Sequence, residues 1–532
     1  MLFEGNFRRT KYTTKIQQTA CTAQKTMLHC YYAGMYSLKE AVEVPQVQIN
    51  NVYDLLAWIC AAIADWPLGV QKSMTCKYDM TQRTKSIEAE FDFLNMKGPD
   101  KEESYEFLSE KQIKIICDKV CQWSQTSSDR IYILYLLTYL AGYFDFNTAF
   151  THFLTDYMCN DVTTDVWSFV ALNSNYKEVG GALVPKFRTM WEKKNIRTSQ
   201  ELDFSPFSLL ANYLWIPQTI ENEEWEATHL YISDTSIGIN GNEPLMVIAS
   251  SGQRENTFEY RCDNEIKKFI IEKYNDGACD RLQKKIKCVL DSAANQNAHI
   301  VLFPEMMASQ QLQSEICHYL SESNNVYPAL ICLPSTEFPI SRETNKYCNS
   351  TLIVNGSGEK LTEYHKQHPF RLDQKSKTKT DEMGNPLMEY YYEPIEADRK
   401  INVFHVRGVG RIGLVICADV FHKNLLNYLF DVLQINVLLV MAYTKGTDIF
   451  FRALTAANVA YCDVIWCNAC AAYDKPLQTT PIISCFSFGH EQKQQHICKY
   501  CGKGKNECSS CLATIKIATE YTRDNDLDFS LI

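Results

Sequence analysis

The length and composition are those of a folded protein with several domains. The chain has 532 residues, which corresponds to roughly two to four domains of ordinary size. A hydrophobic content of 46% and a charged content of 22% argue against wholesale disorder. The formal net charge of -10 gives no general attraction to nucleic acid or to an anionic membrane, so neither is indicated as a partner.

The beginning of the chain bears on its compartment. The stretch MLFEGNFRRTKYTTK lacks the apolar run of a signal peptide, which predicts a cytoplasmic protein. The 22 cysteines are then expected to be reduced thiols, metal ligands or nucleophiles before they are disulfides. The apolar run at residues 131–144 is shorter than the roughly 20 residues of a spanning helix, so we expect a buried helix and no membrane partner.

The chain divides into two unequal parts. Residues 1–225 carry apolar residues at helical spacing, which predicts a mostly helical domain whose role is unknown and which could hold a protein partner. Residues 226–243 are rich in polar and turn-forming types and are interpreted as a linker. From residue 244 to 532, short apolar strands alternate with amphipathic helices, as in an α/β domain.

Three reactive side chains each follow an apolar strand in this second part. Glu305 comes after IVLFP, Lys366 after LTEYH and Cys417 after GRIGLVI. A thiol needs a base to deprotonate it, a buried carboxylate can be that base, and an ammonium can stabilise the resulting oxyanion. Taken singly, each residue has a simpler interpretation as a surface carboxylate, a solvated lysine or an inert core thiol.

The three motifs together resemble those of the carbon-nitrogen hydrolase, or nitrilase, superfamily, over about residues 244–532. AHIVLFPEM is similar to the family's strand ending in Phe-Pro-Glu, and YCNSTLIVNGSGEKLTEYHKQHPF to its lysine motif. GRIGLVICADVF is similar to the family's glycine-rich strand ending in Ile-Cys. The resemblance implies a four-layer αββα sandwich within an α/β fold, preceded here by the helical domain.

The resemblance also implies roles for individual residues. Cys417 would be the nucleophile, Glu305 the general base and Lys366 the cation that stabilises the oxyanion. The backbone N–H of Ala418 would help to hold that oxyanion, and Asp419 would support the cysteine turn structurally. No cofactor would be needed for catalysis, and the chain would form a homodimer or a larger assembly.

Many family members use one more carboxylate, which lies between the lysine and the cysteine. The segment NPLMEYYYEP is similar to the family segment that contains it, which nominates Glu389. Glu382 and Glu393 remain alternatives. The preceding basic run, RLDQKSKTKTDEMG, is interpreted as a solvated loop.

Two Cys-x-x-Cys pairs near residues 496–513 predict a structural zinc site of the zinc-knuckle type. The pairs are Cys498 with Cys501 and Cys508 with Cys511. Four thiolates fill a zinc tetrahedron and leave no position for water, so this metal would not take part in catalysis.

These patterns predict an enzyme that hydrolyses carbon-nitrogen bonds of a small-molecule amide or nitrile through a thioester on Cys417. Amides are favoured over nitriles because most branches of the superfamily act on amides. The alternative is a catalytically silent binding or scaffold protein with the same fold, which could belong to a prokaryotic defence system.

Overall fold

The fold was obtained as a computed structural model. It describes these residues: 49, 52–64, 110–126, 137, 140–141, 166–169, 172, 177–186, 210, 213–217, 219–220, 223–232, 245–249, 258–341, 346–406, 409–444, 450, 462–469, 472, 482–487, 494–497 and 512–516.

Helices and strands are numbered separately along the chain. Up to residue 232 they are α1 (Val52–Ala64), α2 (Glu110–Thr126), β1 (Val166–Phe169), β2 (Gly181–Pro185), β3 (Tyr213–Pro217), β4 (Thr219–Ile220), β5 (Glu223–Glu224) and β6 (Glu226–Ile232). Up to residue 354 they continue as β7 (Leu245–Ala249), β8 (Phe258–Asp263), β9 (Lys268–Tyr274), α3 (Asp276–Asn295), β10 (Ile300–Leu302), α4 (Gln310–Glu322), β11 (Leu330–Cys332), β12 (Thr336–Ser341) and β13 (Lys346–Val354). The remainder are β14 (Lys360–His365), β15 (Arg371–Thr380), β16 (Pro386–Tyr392), β17 (Lys400–Val406), β18 (Gly410–Ile416), α5 (Lys423–Asn427), β19 (Val437–Ala442), β20 (Asp463–Asn468), β21 (Ile482–Ser487), β22 (Gln494–Ile497) and β23 (Leu512–Lys516).

Two large mixed sheets and a smaller one contain most of the strands. Sheet A has eight strands in the order β1-β6-β17-β18-β19-β20-β21-β22. Sheet B has seven, in the order β12-β13-β11-β10-β7-β23, with β14 paired to β13. Sheet C has four, in the order β15-β16-β9-β8. The smaller pairs are β2 with β3 and β4 with β5.

Sheets A and B pack against each other through one apolar core. Leu302 of β10 and Ile248 of β7 lie in the same buried cluster as Leu414 of β18 and Val440 of β19. The alternate residues of β10, such as Val301, face the other way and pack against helices α3 and α4. Because successive side chains of a strand point to opposite faces, this pattern gives three layers in the order helix, sheet, sheet.

The second outer face is described in part. Leu425 of α5 and Leu429 of the π-helical turn Tyr428–Val432 belong to the same core as sheet A. This part of the chain therefore has the mixed α/β fold that the alternating pattern predicted, and the complete fourth layer stays a prediction.

The region before residue 232 differs from the predicted helical domain and linker. Helices α1 and α2 are present, but β2 and β3 pair beside them, and β1 joins sheet A. The predicted linker is also wrong at its start, because β6 pairs in parallel with β17 inside sheet A. Both errors have one cause, since runs of four to seven residues are too short to show whether their period is helical or extended.

The antiparallel pair of strands β2 and β3 is packed on both faces. Leu183 and Trp215 contact the cluster formed by α1 and α2, whereas Val184 and Leu214 contact the main core. The pair β2–β3 is therefore continuous with the α/β core on one face and with the cluster of α1 and α2 on the other.

The apolar run at 131–144 is described at three positions: Leu137, Leu140 and Ala141. All three are buried in the cluster of α1 and α2, as expected for a packed segment. Across the ranges described above, none of the helices has the length and apolar character needed to cross a membrane.

Candidate active site

The ends of three strands bring the predicted reactive side chains into one place. Glu305 lies three residues after β10, Lys366 directly after β14 and Cys417 directly after β18. The first two come from sheet B and the third from sheet A. Since these sheets pack face to face, the cluster spans their interface.

Lys366 and Glu305 form a buried ion pair. The Lys366 Nζ donates to Glu305 Oε1 at 2.7 Å, and both side chains are almost completely removed from solvent. The backbone N–H of Lys366 donates to the carbonyl of Asn349, on the neighbouring strand β13, at 2.8 Å. An ammonium held by short bonds in a dry site acts on nearby charge far more strongly than it would in water.

A second buried carboxylate, that of Glu393, completes the surroundings of the lysine. The Lys366 Nζ also donates to Glu393 Oε2 at 2.6 Å, and Phe370 N donates to the same oxygen at 2.9 Å. Asn349 bridges the two acids, because its Nδ2 donates to Glu305 Oε1 at 3.0 Å and to Glu393 Oε1 at 2.8 Å. Glu393 therefore holds the lysine together with Glu305.

The assignment of the additional carboxylate to Glu389 is corrected by this geometry. The β15–β16 hairpin leaves the site after Phe370 and returns at Glu393, so these two residues face each other at its base, with Glu393 N donating to Phe370 O at 2.9 Å. Glu389 lies four residues further along the hairpin, about 13 Å away at the usual rise of a strand. There it contacts Lys379 and Tyr391.

Cys417 occupies an unusual backbone position between β18 and a short 3₁₀ segment, Cys417–Phe421. Its φ is +49°, in the left-handed region that residues other than glycine seldom adopt. Such strain persists where the surrounding structure fixes it, and it is common at functional sites. The turn directs the thiol toward the ion pair, where it is hydrogen-bonded to the Glu305 carboxylate and accepts from the backbone N–H of Tyr443.

Tyr443 also orients the Glu305 carboxylate. Its N–H donates to Glu305 Oε2 at 2.9 Å, while Glu305 Oε1 accepts from Lys366 and Asn349. Both carboxylate oxygens are thus held in fixed positions, as a group that transfers protons would require.

Asp419 ties the cysteine turn to the lysine loop. Its Oδ2 accepts from Ile416 N at 3.0 Å and from the Tyr364 hydroxyl at 2.9 Å. Its Oδ1 accepts from the backbone N–H groups of Gln367 at 2.9 Å and His368 at 2.8 Å. These contacts are those of a structural partner of the turn, as the sequence analysis expected.

We expect Asp419→Asn to lower the free energy of unfolding by about 2–3 kcal/mol, because hydrogen bonds to a charged group are lost and an amide N–H then faces backbone N–H groups. Urea denaturation measures the change. Asp373→Asn is the matched control, since Asp373 is an exposed acid paired with Arg371. An Asp419→Asn protein as stable as that control would contradict the bridging role.

The electrostatics of the cluster follow from burial combined with opposite charges. Burial raises the pKa of Glu305; the Lys366 ammonium opposes that shift and the Glu393 charge adds to it. Burial lowers the pKa of Lys366, but the charges of Glu305 and Glu393 raise it well above its ordinary value. Burial and the Glu305 charge raise the pKa of Cys417 well above that of a free thiol. Without a substrate, the site therefore holds a charged lysine and a neutral thiol beside Glu305, whose carboxylate is more basic than that of an exposed glutamate.

The remaining predicted site residues are placed as follows. Ala418 is the second residue of the 3₁₀ segment, where backbone N–H groups have no partner within the helix. Its role at the oxyanion stays a prediction. Cys498, Cys501, Cys508 and Cys511 lie outside the described residues, and the zinc site stays a prediction too.

Two groups at the site were not predicted from the sequence: the side chain of Asn349 and the backbone N–H of Tyr443. Asn349 lies within the motif that resembles the family's lysine motif, so the sequence could have nominated it. Tyr443 contributes its backbone N–H, which every residue except proline has, so its residue type could not have indicated this contact.

Comparison with known proteins shows a likeness to one family in part of the chain. Residues 279–478 match the family model described as carbon-nitrogen hydrolase. A deaminated glutathione amidase from Synechocystis sp. (strain PCC 6803 / GT-S) is 25% identical over 184 residues, which cover 32% of this chain and 59% of the relative. The chain thus spans less than two thirds of that relative's length.

Solved structures that resemble the chain are distant. A glutamine-dependent NAD+ synthetase from Acinetobacter baumannii has a TM-score of 0.33 and 15% identity, covering 55% of this chain and 48% of the synthetase. An amidase from Nesterenkonia sp. has a TM-score of 0.31 and 12% identity, covering 55% of this chain and 96% of the amidase. The match over residues 279–478 contains all of the buried cluster from Glu305 to Cys417, so this part of the chain is similar to carbon-nitrogen hydrolases.

Proposed function

We propose that the protein hydrolyses the carbon-nitrogen bond of a small-molecule amide through a thioester on Cys417. The observation that carries the proposal is the contact network of Glu305. Its carboxylate accepts from Lys366 Nζ at 2.7 Å and is hydrogen-bonded to the Cys417 thiol. A nucleophile, a base and a cation are thereby within reach of one carbonyl group.

In the first half of the reaction, Glu305 removes the thiol proton as the sulfur attacks the amide carbonyl. The negative oxygen that forms is stabilised by the Lys366 ammonium and the Ala418 N–H. Glu305 then returns the proton to the departing nitrogen, the C–N bond breaks, and an acyl thioester remains on Cys417.

In the second half, Glu305 accepts a proton from a water molecule, which attacks the thioester carbonyl. The C–S bond breaks, the carboxylic acid leaves and the proton returns to the sulfur. Because the pKa of Glu305 is raised, it is a stronger base than an exposed glutamate, which suits this repeated proton transfer.

Intact-mass spectrometry tests the proposal directly. The protein is mixed with a panel of amides and nitriles and quenched in acid, and peptide mapping locates any added acyl mass. An adduct on Cys417 that decays with release of the acid supports the mechanism. A panel that gives neither adduct nor product favours the alternative of a catalytically silent binding protein.

Glu393 is proposed as the residue that positions Lys366, and we expect Glu393→Gln to lower kcat by about 10²-fold, as when one preorganised electrostatic contact is lost. The Glu393 charge contributes to the raised pKa of Glu305, so the acid limb of the kcat/KM profile should move to lower pH. Glu389→Gln, a change of the same kind on the same hairpin, should retain wild-type rates and the wild-type profile. Equal effects of Glu393→Gln and Glu389→Gln on kcat and on the pH profile would refute the role of Glu393 in positioning Lys366.

We also propose that Cys498, Cys501, Cys508 and Cys511 bind one structural zinc ion. Elemental analysis of protein purified without chelator should give about one zinc per chain, and Cys508→Ser should reduce it. The Cys417 adduct should persist in whatever Cys508→Ser protein remains folded. Zinc-free protein from zinc-replete cells would show that these are ordinary thiols.

The remaining expectations are proposals of the same kind: a cytoplasmic location, a homodimer or larger assembly, and a protein partner for the N-terminal region.

A further inference from the structure

A third buried acid, Glu337, lies beside the cluster and has no part in the mechanism above. It belongs to β12, where it is paired directly with Asn349 of β13. Residues directly opposite each other in an antiparallel pair share a face, with Cβ atoms about 5 Å apart. Glu337 therefore points to the same side as Asn349, whose amide contacts both Glu305 and Glu393.

The hydrogen bonding of Glu337 is incomplete. The residue is only 4% exposed, its Oε1 receives a long bond of 3.5 Å from Ile271 N, and its Oε2 has no partner among the described residues. A buried polar atom without a partner costs about 1–3 kcal/mol, and native proteins contain few of them. A group that binds in the site and donates to Oε2 would recover this free energy.

The charges around Glu337 indicate what that group is. Three acids, Glu305, Glu337 and Glu393, face one cation, Lys366, whose Nζ is shared between the first and the third. Burial and the Glu393 charge raise the pKa of Glu337 well above its ordinary value, which agrees with a carboxyl that lacks a counter-ion. That shift favours the neutral carboxyl as long as no counter-ion is present. A neutral donor would fill only the vacant hydrogen bond, whereas a cationic donor would also stabilise the ionised form of Glu337.

We propose that Glu337 is a specificity-determining residue that pairs with an ammonium group of the substrate, so that the preferred amides carry a primary amine a few bonds from the scissile carbonyl. This inference rests on the proposed amide hydrolysis for its substrate class. The observations behind it are separate from those behind the hydrolysis, because Glu337 makes no hydrogen bond or ion pair with Cys417 or Lys366 among the described contacts.

Binding to the Cys417→Ala protein tests the proposal without turnover. Isothermal titration calorimetry compares each amino amide with the alkyl amide in which a methyl group replaces the ammonium. The pairs are glycinamide with propanamide, β-alaninamide with butanamide, and γ-aminobutyramide with pentanamide. We expect at least one amino amide to bind about tenfold or more tightly than its partner, as for a charge pair formed out of water.

Adding Glu337→Gln, which keeps the size of the side chain and removes its negative charge, should abolish that preference. Glu337→Met should also abolish the preference. This second variant is needed because the glutamine amide could still form a hydrogen bond with the substrate ammonium. Glu389→Gln is the control and should retain the preference. The inference is overturned if no amino amide is preferred in the Cys417→Ala protein, or if the preference survives both Glu337 substitutions.

The two proposals fail separately. Loss of the ammonium preference, with a Cys417 adduct still formed by wild-type protein, would remove Glu337 from substrate recognition and leave the hydrolysis intact. An ammonium preference without any adduct would retain the cation site and refute the hydrolysis.

Discussion

Cys417→Ala is expected to abolish turnover, with a fall in kcat of about 10⁴-fold or more, the scale on which loss of a covalent nucleophile acts. No acyl mass should appear on the protein with any amide that labels the wild type. Cys417→Ser should be nearly as inactive, because a hydroxyl has a far higher pKa than a thiol and Glu305 would have to remove that proton. Quenched-flow mass spectrometry and product assays measure both effects.

The control for this experiment is Cys288→Ala, since Cys288 is an exposed cysteine on helix α3. It should retain the wild-type rate and the wild-type adduct. Undiminished turnover of the same amide by Cys417→Ala protein would eliminate the thioester mechanism.

Lys366→Met is expected to remove activity and also to destabilise the fold by about 3–5 kcal/mol near pH 8, because two buried carboxyls lose their shared cation. The effect should depend on pH. Burial raises the pKa of Glu305, and in the variant the Lys366 charge no longer opposes that shift, so Glu305 folds neutral at low pH with little penalty. As the pH rises toward and through the raised pKa of Glu305, that stability is lost, and the deficit relative to wild type grows.

Urea denaturation of both proteins at pH 5.5 and pH 8 measures this prediction. Lys360→Met is the matched control, because Lys360 is a half-exposed lysine at the start of β14, the strand that ends just before Lys366, and is paired with Glu363. The Lys360→Met substitution should change the free energy of unfolding by no more than about 0.5 kcal/mol at either pH. A deficit in Lys366→Met that is the same at both pH values would show that the carboxyls do not depend on this cation.

The reactive residues could be predicted from sequence because each follows a short apolar strand within a motif. The chemistry of Glu305, Lys366 and Cys417 is encoded in residue type, and the strands that carry them are apolar enough to be recognised. The structural role of Asp419 was implied by the family resemblance, and the hydrogen bonds that its carboxylate accepts agree with that role. For all four residues, the position in the sequence determines the position in the site.

Other features depend on pairing, which a single sequence does not reveal. Glu389 and Glu393 are equivalent in type, and only the register of β15 with β16 shows which one stands at the base of the hairpin. Strand β15 itself was interpreted as a loop, because its alternation is between exposed and half-buried polar residues. Glu337 was missed for the same reason, since its importance comes from facing Asn349 across two strands.

The burial of Cys417 has a consequence for its resistance to oxidation. Oxidants such as hydrogen peroxide react with thiolates that they can reach, and this sulfur belongs to a residue that is 2% exposed and whose raised pKa keeps it protonated. Among the cysteines that the structure describes, Cys288 is the exposed one and meets such reagents first. We therefore expect the Cys417 thiol to be oxidised more slowly than Cys288. In the proposed mechanism, the burial that protects the thiol from small oxidants also makes its activation depend on Glu305.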